Sequence, residues 1–237
     1  MKWILLLLTC FSCVAQDATL GLSVRALGSS ANTGNDDTES TGSYTPRQGT
    51  ELIAIVINSK ASLPDQPTLI GNGLTWTEVF DTNYLSTHRL TIWYARCGSG
   101  SIAEALTAAT TGTAQTGWAL AVVEVSGSVI TGVNGVNALR QSVNANVSAG
   151  TTITATFAAL GKRTLCLGLL AANLNGAAMT AESGWTKITD VNYNTPATEL
   201  TIVYQAKNQD TTCAISNAGA FSGCVVGVEL VQVGNFP

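Results

Sequence analysis

Charge is scarce in this 237-residue sequence: Asp, Glu, Lys and Arg make up 11 % of it and leave a formal net charge of −4. No Lys/Arg cluster occurs. Phosphate neutralisation needs a basic stripe, so a nucleic-acid partner is not expected. Histidine occurs once, as His88 in LSTHRL between two expected strands. Its plainer reading is a solvated loop residue. A nucleophile needs a base held beside it, and G-x-S-x-G, H-E-x-x-H and P-loop patterns are all missing. The cysteines are too scattered for a zinc site. A clear long helix is lacking as well. Residues 101–109 (SIAEALTAA) space Ile102, Ala105 and Leu106 helically, but the stretch breaks off at once, and helix and strand both stay open there.

What is abundant is Ser, Thr, Asn and Gly, with 23 glycines. Thr, Val and Ile fit a pleated surface and Gly and Asn fit its turns, so the composition points to strands with uncharged polar outer faces. The chain also repeats itself. Residues 74–95, LTWTEVFDTNYLSTHRLTIWYA, recur at 184–206 as GWTKITDVNYNTPATELTIVYQA. Trp76, Asp81, Asn83 and Tyr84 match Trp185, Asp190, Asn192 and Tyr193 at an offset of 109. Leu90, Thr91, Ile92 and Tyr94 match Leu200, Thr201, Ile202 and Tyr204 at 110, so the second copy has one extra residue, which a hairpin loop would absorb. LAVVEV at 120–125 resembles VVGVEL at 225–230, and ELIAIVI at 51–57 sits where TLCLGLL sits at 164–170.

Continuous apolar runs at 51–57 and 117–125 read as central strands covered on both faces. Residues 17–27 read as a first strand, 28–42 as a polar loop or edge, and 136–157 as one or two strands. Strands at regular spacing with Gly/Asn turns predict an all-β fold: two tandem related β-sandwich modules of jelly-roll-like topology. Module 1 is expected over residues 16–127 and module 2 over 128–237, including a connector at 128–145.

Residues 1–15 read as a signal peptide, with Lys2, an apolar run from Trp3 to Val14 and a small-x-small site at Cys13-Val14-Ala15. The run is shorter than the roughly 20 residues a membrane helix needs. A buried first strand and a lipidated Cys10 or Cys13 are the alternatives. No later segment is a transmembrane candidate. Cleavage after Ala15 leaves Cys97, Cys166, Cys213 and Cys224. Cys213 and Cys224 flank ISNAGAFSG and would face each other across a hairpin, which makes them the expected disulfide; four buried thiols are the alternative.

The order of ELIAIVI, GLTWTEV, HRLTIWYA, WALAVVEVSG, NALRQSV and a second GWTKI…LTIVYQA resembles uncharacterised two-repeat β proteins of bacteria and bacteriophages. The resemblance spans nearly all of the mature chain. It implies a surface or virion-associated β-sandwich, with no activity and no residue-level site attached.

Two sets of residues are candidates for function. The D-x-N-Y tetrads, Asp81/Asn83/Tyr84 and Asp190/Asn192/Tyr193, pair hydrogen-bonding groups with an aromatic ring. That suits a glycan, or oxygen ligands for Ca²⁺; the plainer reading is a turn shaped by Asp and Asn with Tyr at the rim. Residues 35–39 (NDDTE) are a weaker Ca²⁺ candidate. Glu124 and Glu229 each interrupt a central strand in the same register, and such a carboxylate must be hydrogen-bonded, exposed or shifted in pKa. The plainer expectation is exposure at a strand end, one acid per module. The functional expectation is a non-enzymatic exported protein with a surface structural, adhesive or assembly role, binding glycan or copies of itself. A virion decoration, fibre or tail-associated protein is the alternative, and a polysaccharide-degrading hydrolase, which would need two converging acids, is the third.

Overall fold

The computed structural model describes residues 22–99, 101–129, 131–174, 176, 178–205 and 210–232. The stretch read as a signal peptide lies outside the described residues. Eight strands come from the first half: β1 (Ser23–Asn32), β2 (Thr38–Ser40), β3 (Glu51–Ser59), β4 (Thr68–Ile70), β5 (Thr77–Leu85), β6 (His88–Arg96), β7 (Thr107–Ala109) and β8 (Gly117–Ser126). A 3₁₀ turn at Val133–Ala138 leads into β9 (Leu139–Thr156), β10 (Thr164–Ala172), β11 (Thr180–Ala181), β12 (Thr186–Asn194), β13 (Ala197–Gln205) and β14 (Thr212–Val231). The all-β sandwich class is the one read from the sequence.

In the first half a large sheet runs β1-β8-β3-β6-β5 and a small one β2-β7-β4, all antiparallel. Strands 1 and 8, 2 and 7, and 3 and 6 pair, as in a jelly roll; β5 departs from that winding by pairing with β6 in the large sheet. The second half uses the same pairings with fewer, longer strands. β9 does the work of β1 and β2, and β14 that of β7 and β8: residues 223–230 of β14 pair with β9 and β10, and residues 212–216 with β9 and β11. β10, β13 and β12 stand where β3, β6 and β5 do.

Side-chain parity then builds the layers. On β8, Ala119, Ala121, Val123 and Val125 point one way and Trp118, Leu120 and Val122 the other. The first set meets Leu165, Leu167, Leu169, Val226 and Val228 of the second half, so the two large sheets pack face to face around one shared core. The outer face of the first large sheet is covered by Leu69 and Ala108 of its small sheet and by Leu106, just before β7. That of the second is covered by Ile153, Ala155, Cys213 and Ile215. Because both faces are covered, every residue of β3 and β10 is buried.

Several local expectations are corrected. The first strand, read over residues 17–27, runs from Ser23 to Asn32, so the start of the stretch read as loop or edge is edge strand, and the Ala-rich stretch, open between helix and strand, holds the short strand β7. The extra residue of the second copy is not taken up in a loop. Both hairpins turn through two residues, and the difference is a bulge at Tyr84, where Asn83 pairs with Arg89 and Leu85 with His88. In the second copy Tyr193 has a partner, Thr198. A second bulge falls at the same place in both copies, at Val79 and Ile188, and both side chains pack against the shared core. A bulge re-aims a side chain, so simple alternation through Leu74–Val79 fails there for a packing reason.

Candidate functional site

The tetrads lie in strands β5 and β12, not in turns. Asp81 is bound by Arg89 through both carboxylate oxygens across the β5–β6 hairpin, with Nε–Oδ1 at 2.7 Å. Asp190 is held by Lys187, three residues back on its own strand. Asn83 and Asn192 are exposed. The tyrosines point the opposite way, between the halves. Tyr193 is 5 % exposed and donates its hydroxyl to Ser59 Oγ at 2.9 Å, with its ring lying against Gly117, where a Cβ would clash. Tyr84 packs against the shared core beside His88, ring centroids 5.5 Å apart. Burial pushes both phenols above their ordinary pKa. Within each tetrad the acid and the ring therefore diverge, because adjacent strand positions face opposite sides of a sheet.

His88 is a correction. It is 3 % exposed, not solvated. Its Nε2 lies 3.0 Å from Thr198 Oγ1 and its Nδ1 2.9 Å from Thr87 Oγ1. His88 and Thr198 hold matching places in the two hairpins, so the related tips touch each other. Burial lowers the histidine pKa below its usual value, which favours the neutral ring.

Glu124 and Glu229 correct the sequence reading in the other direction: neither faces solvent, at 1 % and 0 % exposure. Arg25 of β1 grips Glu124 with Nη2 at 3.0 Å from both oxygens, and the backbone N–H of Arg47 donates at 2.6 Å. Arg140 of β9 holds Glu229 at 3.1 Å, Gln141 donates to its second oxygen, and the backbone N–H of Gly161 donates at 2.7 Å. The arrangement occurs twice: a strand carboxylate, an arginine from the neighbouring edge strand, and a backbone N–H from the loop entering the central strand. Each acid sits on the outer face of its own large sheet, so the two lie on opposite sides of the sandwich and do not converge on one bond. Charge-assisted bonds of this kind tie loop and edge to the sheet. Replacing Arg140 by Ala is expected to cost about 2 kcal/mol by urea unfolding, below the ~3–5 kcal/mol for a wholly buried pair because the arginine is 40 % exposed. A change under about 0.5 kcal/mol would show that the pair adds nothing to the fold.

The proposed Cys213–Cys224 bridge is overturned. All four described cysteines are free and buried. Both members lie on β14, eleven positions apart, with Cys213 in the outer cluster of the second half and Cys224 in the shared core. At roughly 3.3 Å per strand residue they are far beyond the ~7 Å limit for a disulfide. Burial raises the thiols of Cys166, Cys213 and Cys224, those of Cys166 and Cys224 to about 12, which keeps these three protonated.

One acid was missed in the sequence because it opens an apolar run. Glu51 shares the parity of Ile53, Ile55 and Ile57, so it points into the inter-sheet core, 1 % exposed, with neither carboxylate oxygen hydrogen-bonded. It borders a small cavity of about 10 Å³, lined also by Val79, Tyr94, Gly135 and Leu230. That is room for about one water. Gly135, at φ 82°, closes over the carboxyl, and a Cβ there would collide with it. Strand parity was the available signal.

For Ca²⁺, no group of three or more His, Cys, Asp or Glu side chains is placed to hold a metal among the described residues. In the 35–39 segment, Glu39 is 8 % exposed and accepts the Ser30 hydroxyl, while the Asp36 carbonyl accepts Trp118 Nε1 at 3.1 Å. No helix among the described residues is long and apolar enough to cross a membrane. Comparison with protein-family models, with curated proteins and with solved structures gives no match to this chain.

Proposed function

We propose that this is a non-enzymatic structural module that works at a surface or in a particle by assembling with copies of itself. The observation that carries the reading is how its polar chemistry is used. The acids in matching places, Glu124 and Glu229, tie loops and edge strands to the sheets, and His88, Thr198 and Tyr193 join the two halves. A body braced in this way, with an exterior poor in charge, suits a building block. The signal-like N-terminus supports an exported, cell-surface location, and the resemblance to two-repeat bacterial and bacteriophage proteins supports a virion component as the second reading.

A glycan-binding role would rest on Asn83 and Asn192, the exposed members of the tetrads. Mass spectrometry of the natural protein, isolated from the envelope, secreted and particle fractions, is the test. Recovery in one of these is expected, with an N-terminus at Gln16 for export or at Met1 for particle assembly in the cytoplasm. Recovery only as free cytosolic protein would overturn the reading. Retention on a glycan array, lost on changing Asn83 and Asn192 together, would establish the glycan role.

A further inference from the structure

The two large sheets end in four edge strands, β1, β5, β9 and β12. A bare edge presents unpaired N–H and C=O groups to any other strand, and folded proteins usually blunt it with charges or bulges. Three of these edges are blunted. β1 carries Arg25 and a bulge between Ala26 and Gly28. β5 carries Glu78, Asp81 and two bulges. β12 carries Lys187, Asp190 and a bulge at Ile188.

β9 differs. Its one charged residue, Arg140, falls at a register shift at the start of the strand and is turned onto Glu229, and no charged residue and no proline occurs from Gln141 to Gly161. From Gln141 to Val147 it pairs with β14 in unbroken register, opposite Glu229 through Gly223. Among the described residues β14 is its only partner strand. Ser142, Asn144 and Asn146 are exposed on one face, and Val143, Ala145 and Val147 are half-buried on the other.

We infer that the free edge of β9, residues 141–147, is an interface at which a second copy of this chain adds its own β9 antiparallel, joining the two large second-half sheets into one. The argument for a second copy is complementarity. A twofold axis normal to the sheet sets even-numbered residues opposite even-numbered ones. With residues 141–147 set against one another, Ser and Asn then meet Ser and Asn, Val and Ala meet Val and Ala, and no charged side chains are opposed. The same self-pairing of β5 would bring the acids Glu78 and Asp81 against each other. This takes the assembly role as given and names the surface that performs it.

Sedimentation equilibrium of the full chain tests it, with a triple variant, Ser142→Lys/Asn144→Lys/Asn146→Lys, and a control of equal charge on exposed positions elsewhere, Asn83→Lys/Asn192→Lys/Asn194→Lys. The expected result is a dimer for the wild type and the control, and a dissociation constant raised at least about tenfold by the β9 lysines. Amide exchange of the wild type, which needs no variant to fold, should slow in residues 141–147 as concentration rises. A wild type that is monomeric at every concentration, or a dimer indifferent to the β9 lysines with no concentration-dependent protection there, overturns the assignment. The second outcome, or recovery of the native protein in a particle or envelope fraction, leaves the assembly reading standing without it.

Discussion

Truncating Leu167 to Ala is expected to lower the unfolding free energy by about 3–4 kcal/mol, and to weaken both halves together. Leu167 is fully buried at the middle of β10, between Tyr204 and Val228, in the core shared by the two large sheets. Ile55, Ile92 and Val123, from the first half, belong to the same cluster. Each large sheet buries one face only because the other half covers it, so a cavity at this layer takes support from both. Hydrogen exchange read on peptides from β8 and β14 distinguishes the cases. Equal loss of protection is expected in the two strands. Faster exchange in β14 with β8 unchanged would mean that the halves are independent folding units, each relying on its own outer cluster.

Glu51→Gln is expected to remove a large part of the pH dependence of stability. Burial without a hydrogen-bond partner pushes the Glu51 carboxyl up to about 9, against an opposing pull from Arg96. The other described groups around it, Tyr94, Gly135 and the aliphatic lining, bring no compensating charge. For an acid whose folded pKa is raised, nothing is lost below the unfolded value of about 4.5. As pH rises above that, the unfolded chain gives up a proton that the folded chain keeps, and stability falls until the folded group ionises near 9. At pH 7 the loss relative to pH 4 amounts to about 3 kcal/mol. Denaturant midpoints of wild type and Glu51→Gln, measured at pH 5 and pH 8, provide the check. The wild type should lose stability across that interval and the variant should lose much less. Parallel pH profiles would show that the carboxyl is ionised and compensated in the fold.

Much of the architecture was legible because strands advertise themselves locally. The apolar runs at 51–57, 117–125 and 164–170 lie in strands buried on both faces, and the internal repeat marks the two matching hairpins. Chemistry was harder to read. Asp81, Asn83 and Tyr84 look like one constellation as a string, yet pleating sends the acid and the ring to opposite sides of the sheet. His88 sits in a hairpin, where exposure is the usual outcome, and is buried only because the related hairpin closes over it. Cys213 and Cys224 flank a Gly-rich stretch that resembles a turn; β9 pairs with β14 on both sides of it, at Ser216 and from Phe221 on, so the chain continues along β9 and does not fold back as a hairpin.

The sequence by itself determined the long apolar strands, their two-sided burial, and the recurrence of residues 74–95 at 184–206, because period-two parity and apolar run length are properties of a few neighbouring residues. Only the tertiary structure decided what each face meets. It set the large sheets face to face, gave Glu124 and Glu229 an arginine and a backbone N–H apiece, left Glu51 with no hydrogen-bond partner, and left residues 141–147 of β9 with β14 as their one partner strand among the described residues. Those outcomes depend on residues tens to more than a hundred positions apart, and no local pattern encodes which of them will touch.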